Sequence, residues 1–408
     1  MKGYLTKLKG ILQDLKTLNN KGVEDIPNKT EKYIIDNEKE FENIKQRIYE
    51  YEQLISLVQN QKKELQLSLN AAVNQINEMK RCNTNLRNEI LDLKGAVRVF
   101  CRIKPSQVMN KIEYTDDEID FDGKNFKVDK VFSEKSTQLE IFNELELFIE
   151  NVLDGYKICI FAYGQTGSGK TYTMEGSGDG LIYNSLEKLD KSIELMSKDK
   201  LVPTFKLKYL EIYNETIVDL FTQKNVTIAH NSTSITFKDA SEIIADNVTE
   251  IRNKIKEASN KRTVGETKCN SKSSRSHAIF ILDVELKSPT EIRSGSLCLI
   301  DLAGSERLRE SKAENERLKE TQSINKSLSA LGNVFSAIKT SENHIPFRNS
   351  KLTHLMQKYL TGHSRMAMIV NINPESLNES VCTLRFATKV SECNLGKSKK
   401  SIKIIHKE

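Results

Sequence analysis

The stretch FAYGQTGSGKTYTMEG, residues 161–176, constrains the fold more than any other part of the chain. Four of its residues fit the pattern G-x-x-x-x-G-K-[ST] at the required spacing: Gly164, Gly169, Lys170 and Thr171. Glycines let the backbone curl so that successive N–H groups point at phosphate oxygens, and the threonine hydroxyl is a ligand for Mg²⁺. The run KICIFAY before it (157–163) is typical of a buried strand. The segment therefore predicts a phosphate-binding loop between a strand and a helix whose positive dipole end faces the phosphates.

Length and composition exclude several classes of protein. The 408 residues are too many for one domain. No run of eighteen apolar residues is present, so no membrane span is expected, and the N-terminus lacks the apolar core of a secretory signal. The seven cysteines are odd in number and include no C-x-x-C pair, which predicts reduced thiols in the cytosol or nucleus rather than disulfides or zinc.

The net charge of +6 is unevenly placed along the chain. Residues 1–94 hold 16 basic and 14 acidic side chains, residues 95–388 hold 40 of each, and the last twenty hold six basic and two acidic. An acidic partner must therefore be met by a local patch and not by bulk charge. No zinc finger or helix-turn-helix pattern is present and no basic patch is interleaved with aromatics, so nucleic-acid binding is not expected.

Residues 48–93 carry a heptad repeat that predicts a coiled coil. Twelve of its fourteen seam positions are apolar: Ile48, Tyr51, Ile55, Val58, Leu65, Leu69, Ala72, Ile76, Met79, Leu86, Ile90 and Leu93. Lys62 and Asn83 fill the other two, at a-type positions, where polar residues fix register and favour two strands. The alternative is one long helix packed on its own domain.

The chain divides into four segments. Residues 1–30 are expected to form a short amphipathic helix and a linker broken by Gly22 and Pro27, and residues 31–94 a coiled-coil stalk. Residues 95–392 alternate strands and helices, which predicts an α/β domain with a central, mostly parallel sheet flanked by helices. Residues 393–408 form a basic tail, expected to be disordered, with contact to an acidic surface as the alternative.

Two further motifs supply what a phosphate loop needs for hydrolysis. In DLAGSER (301–307), Asp301 follows a strand and is placed to hold Mg²⁺ through water, and Gly304 offers its N–H to a terminal phosphate. NSKSSRSH (270–277) offers three serine hydroxyls around Arg275, enough oxygen atoms to complete a metal shell.

Together the three motifs closely resemble those of the kinesin motor family. GQTGSGKT, NSKSSRSH and DLAGSER stand in the family's order and near its spacing, over a resemblance that covers about 96–392. Further stretches join it: EIYNE (211–215), INKSLSALGNV (324–334) and HIPFRNSKLTHLMQ (344–357). The resemblance implies a P-loop motor domain that hydrolyses ATP with Mg²⁺ and moves on microtubules, which places it in the cytoplasm on the cytoskeleton or spindle.

The resemblance also implies which residues bind the nucleotide. The phosphates would be held by Gln165, Thr166, Gly167, Ser168, Gly169, Lys170 and Thr171. The adenine would pack on Arg102, Lys104, Pro105 and Tyr172. The family usually has Arg at the position of Lys104, so a planar stacking group is lost there.

Two segments match the family's switches, which we call switch I (270–277) and switch II (301–307). Ser273 and Ser274 match the switch serines that contact the metal, the γ-phosphate and the attacking water, and Asn270 also lies in switch I. Thr171, Ser274 and Asp301 are the residues expected around the metal, and Gly304 is expected at the γ-phosphate. Arg275 and Glu306 match the pair that closes the site, a latch that forms only when both loops move in. The alternative is an ordinary surface ion pair, which would contribute little. Asn325 begins the helix implied to relay the switch to the track.

Residues 343–374 are expected to form a basic face toward acidic tubulin. They contain no Asp or Glu and four strong cations: Arg348, Lys351, Lys358 and Arg365. The match to the family's track-binding region favours Arg348 and Lys351 as contacts, with Lys326 and Arg317 as further candidates. The alternative is a solvated helix face.

The order of coil and motor resembles the minus-end-directed kinesins with C-terminal motors, class fourteen. The coil runs directly into the motor through NEILDLKGAVRVFCRIKP, and no coil follows the motor. Gly95-Ala96 departs from the class's Gly-Asn, which removes an amide from the junction and leaves direction resting on architecture. Homodimer and heterodimer both remain open, and the 94 residues before the motor indicate either a fragment or dependence on a partner. Competing functions are a non-motile microtubule-binding subunit and a coiled-coil ATPase with another substrate.

Overall fold

A computed structural model describes residues 2–18, 25–93, 95–107, 112–121, 123–196, 201–231, 234–266, 272–306, 315–361 and 364–405. The helices are α1 (Lys2–Leu18), α2 (Asp25–Leu93), α3 (Gln138–Leu153), α4 (Lys170–Met174), α5 (Leu181–Met196), α6 (Val248–Glu266), α7 (Asn315–Lys339), α8 (Lys351–Leu360) and α9 (Leu377–Ser391). The strands are β1 (Val97–Ile103), β2 (Ile112–Tyr114), β3 (Glu118–Phe121), β4 (Asn125–Lys127), β5 (Lys130–Phe132), β6 (Lys157–Tyr163), β7 (Val202–Tyr213), β8 (Thr216–Asp219), β9 (Asn225–Asn231), β10 (Ser234–Lys238), β11 (Ile243–Ala245), β12 (His277–Lys287), β13 (Glu291–Asp301), β14 (Ser364–Ile372) and β15 (Ile402–Ile404).

The N-terminal unit, residues 1–85, is helical. Leu12 of α1 and Ile34 of α2 are buried, and Pro27 falls in the first turn of α2, where a missing N–H is tolerated. Every residue from 42 to 83 is exposed, including the seam positions. The long helix expected from the heptads is thus present with its apolar stripe uncovered, which does not support the alternative of a helix packed on its own domain.

The second unit, residues 86–408, is built on a large mixed sheet. Its strands run β10-β9-β8-β7-β12-β13-β6-β14-β1-β5, with β11 beside β7 and β15 beside β13. The expected α/β fold with a central sheet flanked by helices is confirmed, but the sheet is mixed and not mostly parallel: parallel pairing joins β13, β6, β14, β1 and β5, whereas β7, β12 and β13 pair antiparallel. The reason is that Ser288–Thr290 forms a tight turn between β12 and β13, which makes them a hairpin.

Helices cover both faces of this sheet. Helices α7, α8 and α9 pack on one face, with Leu331, Phe335 and Leu355 among their fully buried side chains. Helices α3, α5 and α6 pack on the other, with Ile149, Leu186 and Ile251 buried. A sheet covered on both faces explains why β6 and β14 are apolar along nearly their whole length. Among the described residues no helix is both long and apolar enough to span a membrane.

The C-terminal tail differs from the expected disorder. The backbone of Ser401 pairs with Gly155 and Ser294, and β15 then pairs antiparallel with Glu291–Arg293 at the start of β13. Backbone hydrogen bonds along an open strand edge can hold a segment of any composition. The basic, polar composition of the tail therefore did not predict this pairing. The tail is therefore ordered through residue 405.

Candidate functional site

The glycine-rich loop leaves β6 and enters α4 as the sequence predicts, although α4 has only five residues. Gly164 lies at φ +152°, and a Cβ there would meet the carbonyl oxygen of Asn371 at 2.2 Å, so only glycine fits. Asn371 ends β14 and donates its amide to the Thr173 hydroxyl at 2.9 Å, which holds the loop's far side. The loop is thus fixed to β6, β14 and α4 together.

Buried polar atoms at this loop match the chemistry of a phosphate ligand. Lys170 is buried, its ammonium donates to the Gln165 carbonyl oxygen at 2.9 Å, and burial lowers its pKa. Ser168 Oγ and Gln165 Oε1 are buried with no hydrogen-bond partner among the described residues. Burying polar groups without partners is costly, so the loop is suited to a ligand that supplies them.

The expected metal ligands Thr171 and Asp301 meet directly. The Thr171 hydroxyl donates to Asp301 Oδ2 at 2.6 Å, and Asp301 Oδ1 is buried without a partner among the described residues. Burial raises the pKa of Asp301, against the opposing pull of Arg262 and Lys170. A hydroxyl and a carboxylate with a free oxygen are hard ligands that suit Mg²⁺. The residues therefore fit the implied magnesium.

Arg262 of α6 is a residue that the sequence reasoning missed. Its guanidinium is almost fully buried and lies 4.0 Å from Asp301, 3.4 Å from Glu175 and 3.7 Å from Glu211. Burial lowers the pKa of Arg262, but Tyr209 and these three carboxylates together raise it above its usual value. It balances three acidic groups behind the metal ligands. No motif marks it, because its partners come from three separate elements.

At the expected adenine site, the Arg102 side chain is buried and supports the ring of Tyr172. It is buried, donates to Gln138 Oε1 and Thr173 Oγ1 at 2.9 Å each, and lies 5.0 Å from the centre of the Tyr172 ring. The ring itself is half exposed and free to stack. Lys104 is partly buried and Pro105 exposed, close along the chain to Arg102. Gln138, another residue missed from sequence, fixes both Arg102 and the Tyr172 carbonyl.

The structure does not bring Arg275 and Glu306 together. Arg275 instead pairs with Glu320 of α7 at 2.6 Å, and Glu306 accepts hydrogen bonds from the backbone and hydroxyl of Thr166. Gly304 connects the two switches, because its N–H donates to the Ser274 carbonyl at 2.9 Å. Gly304 is also closely packed, since an added Cβ would meet Thr166 Oγ1 at 2.2 Å. Asn270 and the side chain of Ser273 lie outside the described residues.

Two of the residues expected at the track, Lys326 and Lys351, lie near one acidic side chain. Glu215, in the turn after β7, accepts from the Lys351 backbone at 3.1 Å and lies 3.9 Å from the Lys326 ammonium. Arg348 is exposed one turn before α8. We call Lys326, Arg348 and Lys351 the track face; the side chain of Arg317 lies outside the described residues.

The expected basic face was wrong for its other two members. Lys358 is three-quarters buried and pairs with Asp283 of β12 at 3.1 Å. Arg365 is 1% exposed and binds the end of the coiled-coil helix. Helix and strand periodicity turns these two side chains inward, which a count of charges along the sequence does not show.

A cluster that we call the neck anchor joins α2 to the motor unit. Arg365 donates to Asn88 and Asn151, pairs with Asp92 at 2.7 Å, and lies 4.2 Å from the centre of the Tyr156 ring. Seam residues of this last part of α2 stay exposed: Leu86, Ile90 and Leu93. The helix end therefore docks by one face and leaves its seam on another.

The junction after α2 is held by backbone contacts at Ala96 and by side chains further up the helix. The Ala96 carbonyl accepts from the Met366 N–H at 2.7 Å, and Gly95 turns the chain at φ +92°. Side-chain contacts to the motor come from Asn88 and Asp92, further up the helix.

Comparison with known proteins places this architecture. A family model described as the kinesin motor domain matches residues 74–393. Kinesin-like protein KIN-14N of Oryza sativa subsp. japonica is 39% identical over 368 residues, 82% of this chain and 48% of that protein. Kinesin-like protein KAR3 of Saccharomyces cerevisiae is 36% identical over 354 residues, 76% of this chain and 48% of that protein. The chain thus spans about half the length of the curated relatives it matches.

A solved structure shares both the fold and the preceding helix. The C-terminal motor and motor homology domain of Kar3Vik1, fused to a synthetic heterodimeric coiled coil, aligns with a TM-score of 0.76 at 34% identity, over 85% of this chain and 99% of that one. The motor domain of the Kar3-like kinesin from Ashbya gossypii aligns with a TM-score of 0.63 at 36% identity, over 72% of this chain and 99% of that one. With the phosphate loop and both switch segments meeting at one edge of the sheet, these matches make the chain a member of the kinesin motor family, most similar to its class-fourteen branch.

Proposed function

We propose that the chain is an ATP-driven microtubule motor that moves toward the minus end. One observation carries the proposal: the helix that bears Lys326 of the track face also binds switch I, through the 2.6 Å pair between Glu320 and Arg275. A single rigid helix therefore contacts both the nucleotide edge and the surface offered to the track. Coupling between two sites requires such a shared element.

The residues of the nucleotide edge have distinct roles in this proposal. The loop from Gln165 to Thr171 holds the phosphates, and Arg102 supports the Tyr172 ring against the base. Thr171, Ser274 and Asp301 would hold Mg²⁺, which neutralises charge on the phosphate oxygens. Gly304 offers its backbone N–H toward the terminal phosphate once it leaves the Ser274 carbonyl. Ser273 and Ser274 orient the attacking water.

The latch between Arg275 and Glu306 would close by an exchange of partners. Arg275 must leave Glu320, and Glu306 must leave Thr166, before the two side chains meet. The two released partners belong to different elements: Glu320 lies on α7, and Thr166 lies in the phosphate loop. Closure therefore depends both on the phosphate and on the position of α7, which is how a track would control turnover.

The neck anchor supports a lever at the other edge of the sheet. The end of α2 is fixed to β14 through Arg365, so a change in that contact would redirect the helix that carries the coil. The exposed seam of α2 is proposed to pair with a second coil, from a like or an unlike chain. Minus-end direction rests on the coil preceding the motor, as in the class-fourteen resemblance. We place the protein on the microtubule cytoskeleton.

The first test is steady-state ATP hydrolysis with and without stabilised microtubules. Lys170→Ala should abolish turnover, with a loss of at least about a hundredfold, because the buried ammonium is lost from the phosphates. Lys224→Ala, at an exposed position in the turn between β8 and β9, is the matched control and should behave as wild type. Microtubule binding without stimulated turnover would contradict the motor and favour the non-motile subunit. Gliding of polarity-marked microtubules then tests direction.

A further inference from the structure

His277 is a buried titratable residue to which the proposed mechanism assigns no role. It ends switch I, begins β12, and is 3% exposed. Its Nδ1 accepts the N–H of Ala303 in switch II at 2.9 Å, and its Nε2 lies 2.8 Å from the hydroxyl of Ser327 on α7. One imidazole therefore touches both switches and α7.

The hydrogen bonds of this ring run in one direction. A backbone N–H can only donate, so Nδ1 is the acceptor and the ring proton sits on Nε2. Nε2 then donates to Ser327 Oγ, whose own proton goes to the Ile324 carbonyl at 2.8 Å. Burial and the nearby Lys170 lower the pKa of His277 to about 3, so the ring remains neutral and keeps this arrangement.

We propose that His277 is a positioning residue that couples α7 to switch II, so that a shift of α7 on the track is felt at Ala303 beside Gly304. The inference rests on the proposed function and deepens it. The contact between His277 and Ser327 is buried, so water cannot replace a lost partner and the two elements must move together or leave polar groups unpaired. The pair between Arg275 and Glu320 is partly exposed and exchanges partners, so it suits a latch better than a rigid link.

The experiment compares microtubule-stimulated with basal ATP turnover in four variants. Ser327→Ala removes the hydroxyl on α7, and Ser336→Ala is its matched control, because the Ser336 hydroxyl on the same helix bonds to the Gly332 carbonyl alone among the described residues. His277→Asn keeps an acceptor for Ala303 but no longer reaches Ser327, whereas His277→Gln extends an amide donor toward Ser327.

We expect Ser327→Ala to lose about five- to tenfold of the stimulation while basal turnover stays within about twofold, the usual size of coupling between sites. Ser336→Ala should match wild type. His277→Asn should lose at least as much stimulation as Ser327→Ala, and the double variant should lose no more than the worse single one, because both changes break one contact. His277→Gln should recover part of the loss.

The inference is wrong if Ser327→Ala and Ser336→Ala behave alike, or if His277→Asn lowers basal and stimulated turnover by the same factor. A second readout separates this failure from that of the proposed function. Hydrogen exchange of α7 amides is compared with ADP and with a non-hydrolysable ATP analogue; wild type should show a nucleotide-dependent change that His277→Asn loses. If wild type lacks microtubule stimulation, the motor proposal fails and this readout alone decides the relay.

Discussion

The sheet has two functional edges that are built in different ways. The nucleotide edge lies where β6 and β13 end, and the neck edge lies where Arg365, near the start of β14, binds the end of α2. At the nucleotide edge, most functional groups come from three short continuous segments, the phosphate loop and the two switches. At the neck edge, Arg365 draws its partners from α2, α3 and the turn between α3 and β6, and Ser398 and Lys400 of the tail approach Asp92 and Asp154. A phosphate-binding loop needs its glycines, lysine and threonine at fixed spacing, because consecutive backbone N–H groups must point at one ligand. A helix anchor needs only polar side chains that meet in the folded chain. The neck edge can therefore be assembled from distant positions.

Removing Arg365 gives the largest expected change at the neck edge. Arg365→Ala leaves Asn88 and Asn151 buried without their donor, so the free energy of unfolding of the motor unit should fall by about 2–4 kcal/mol. Basal ATP turnover of the folded fraction should change by less than about threefold, because no nucleotide contact is lost. Urea unfolding and turnover measured on the same samples check both statements.

Arg365→Lys refines that comparison, because lysine keeps the charge but not the planar fork that reaches three partners at once. The free energy of unfolding of Arg365→Lys should lie between those of wild type and Arg365→Ala. Its gliding of polarity-marked microtubules should nevertheless be impaired. If gliding is normal in both variants, the neck anchor does not guide the lever.

Acid should weaken the nucleotide edge through His277. Its pKa is lowered from 6.5 to about 3 in the fold, so the unfolded chain binds a proton below about pH 6.5 that the folded chain rejects. Stability is thus complete above about pH 6.5 and is lost as the pH falls toward 3, by about 2 kcal/mol at about pH 5. His277→Asn lacks this loss, so the difference between the two unfolding free energies should shrink by that amount. Parallel pH profiles would show that His277 is not the group responsible.

The smallest predicted effect concerns the partner exchange at Arg275. Glu320→Gln weakens its hold on Arg275, frees it for Glu306, and should raise basal turnover without microtubules by about three- to tenfold. Glu392→Gln breaks the exposed pair with Lys339 and serves as the control, with no expected change. A lower basal rate in Glu320→Gln would mean that the pair supports catalysis and does not compete with the latch.

The sequence predicted the parts of the molecule that local information determines. Strand β6, the glycine turn at Gly164, and the placement of Thr171 and Asp301 at one site follow from motifs whose chemistry fixes their spacing, although the direct hydrogen bond between these two side chains was not predicted. The partner of Arg275 could not be predicted, because it depends on where two loops lie relative to α7. Arg262, His277 and Arg365 were missed or misplaced for a related reason: each acts through residues that are distant in the chain.

Strand β14 carries Arg365 near one end and Asn371 near the other, beneath the phosphate loop. It is bonded in register to β1 on one side and to β6 on the other, both parallel. A slip of β14 by one residue would break the hydrogen bonds to both neighbouring strands and turn its side chains to the opposite face of the sheet. Strand β14 therefore cannot transmit a signal between the nucleotide edge and the neck anchor by sliding along its axis. A change at the nucleotide edge must therefore reach the neck anchor through elements other than a sliding β14.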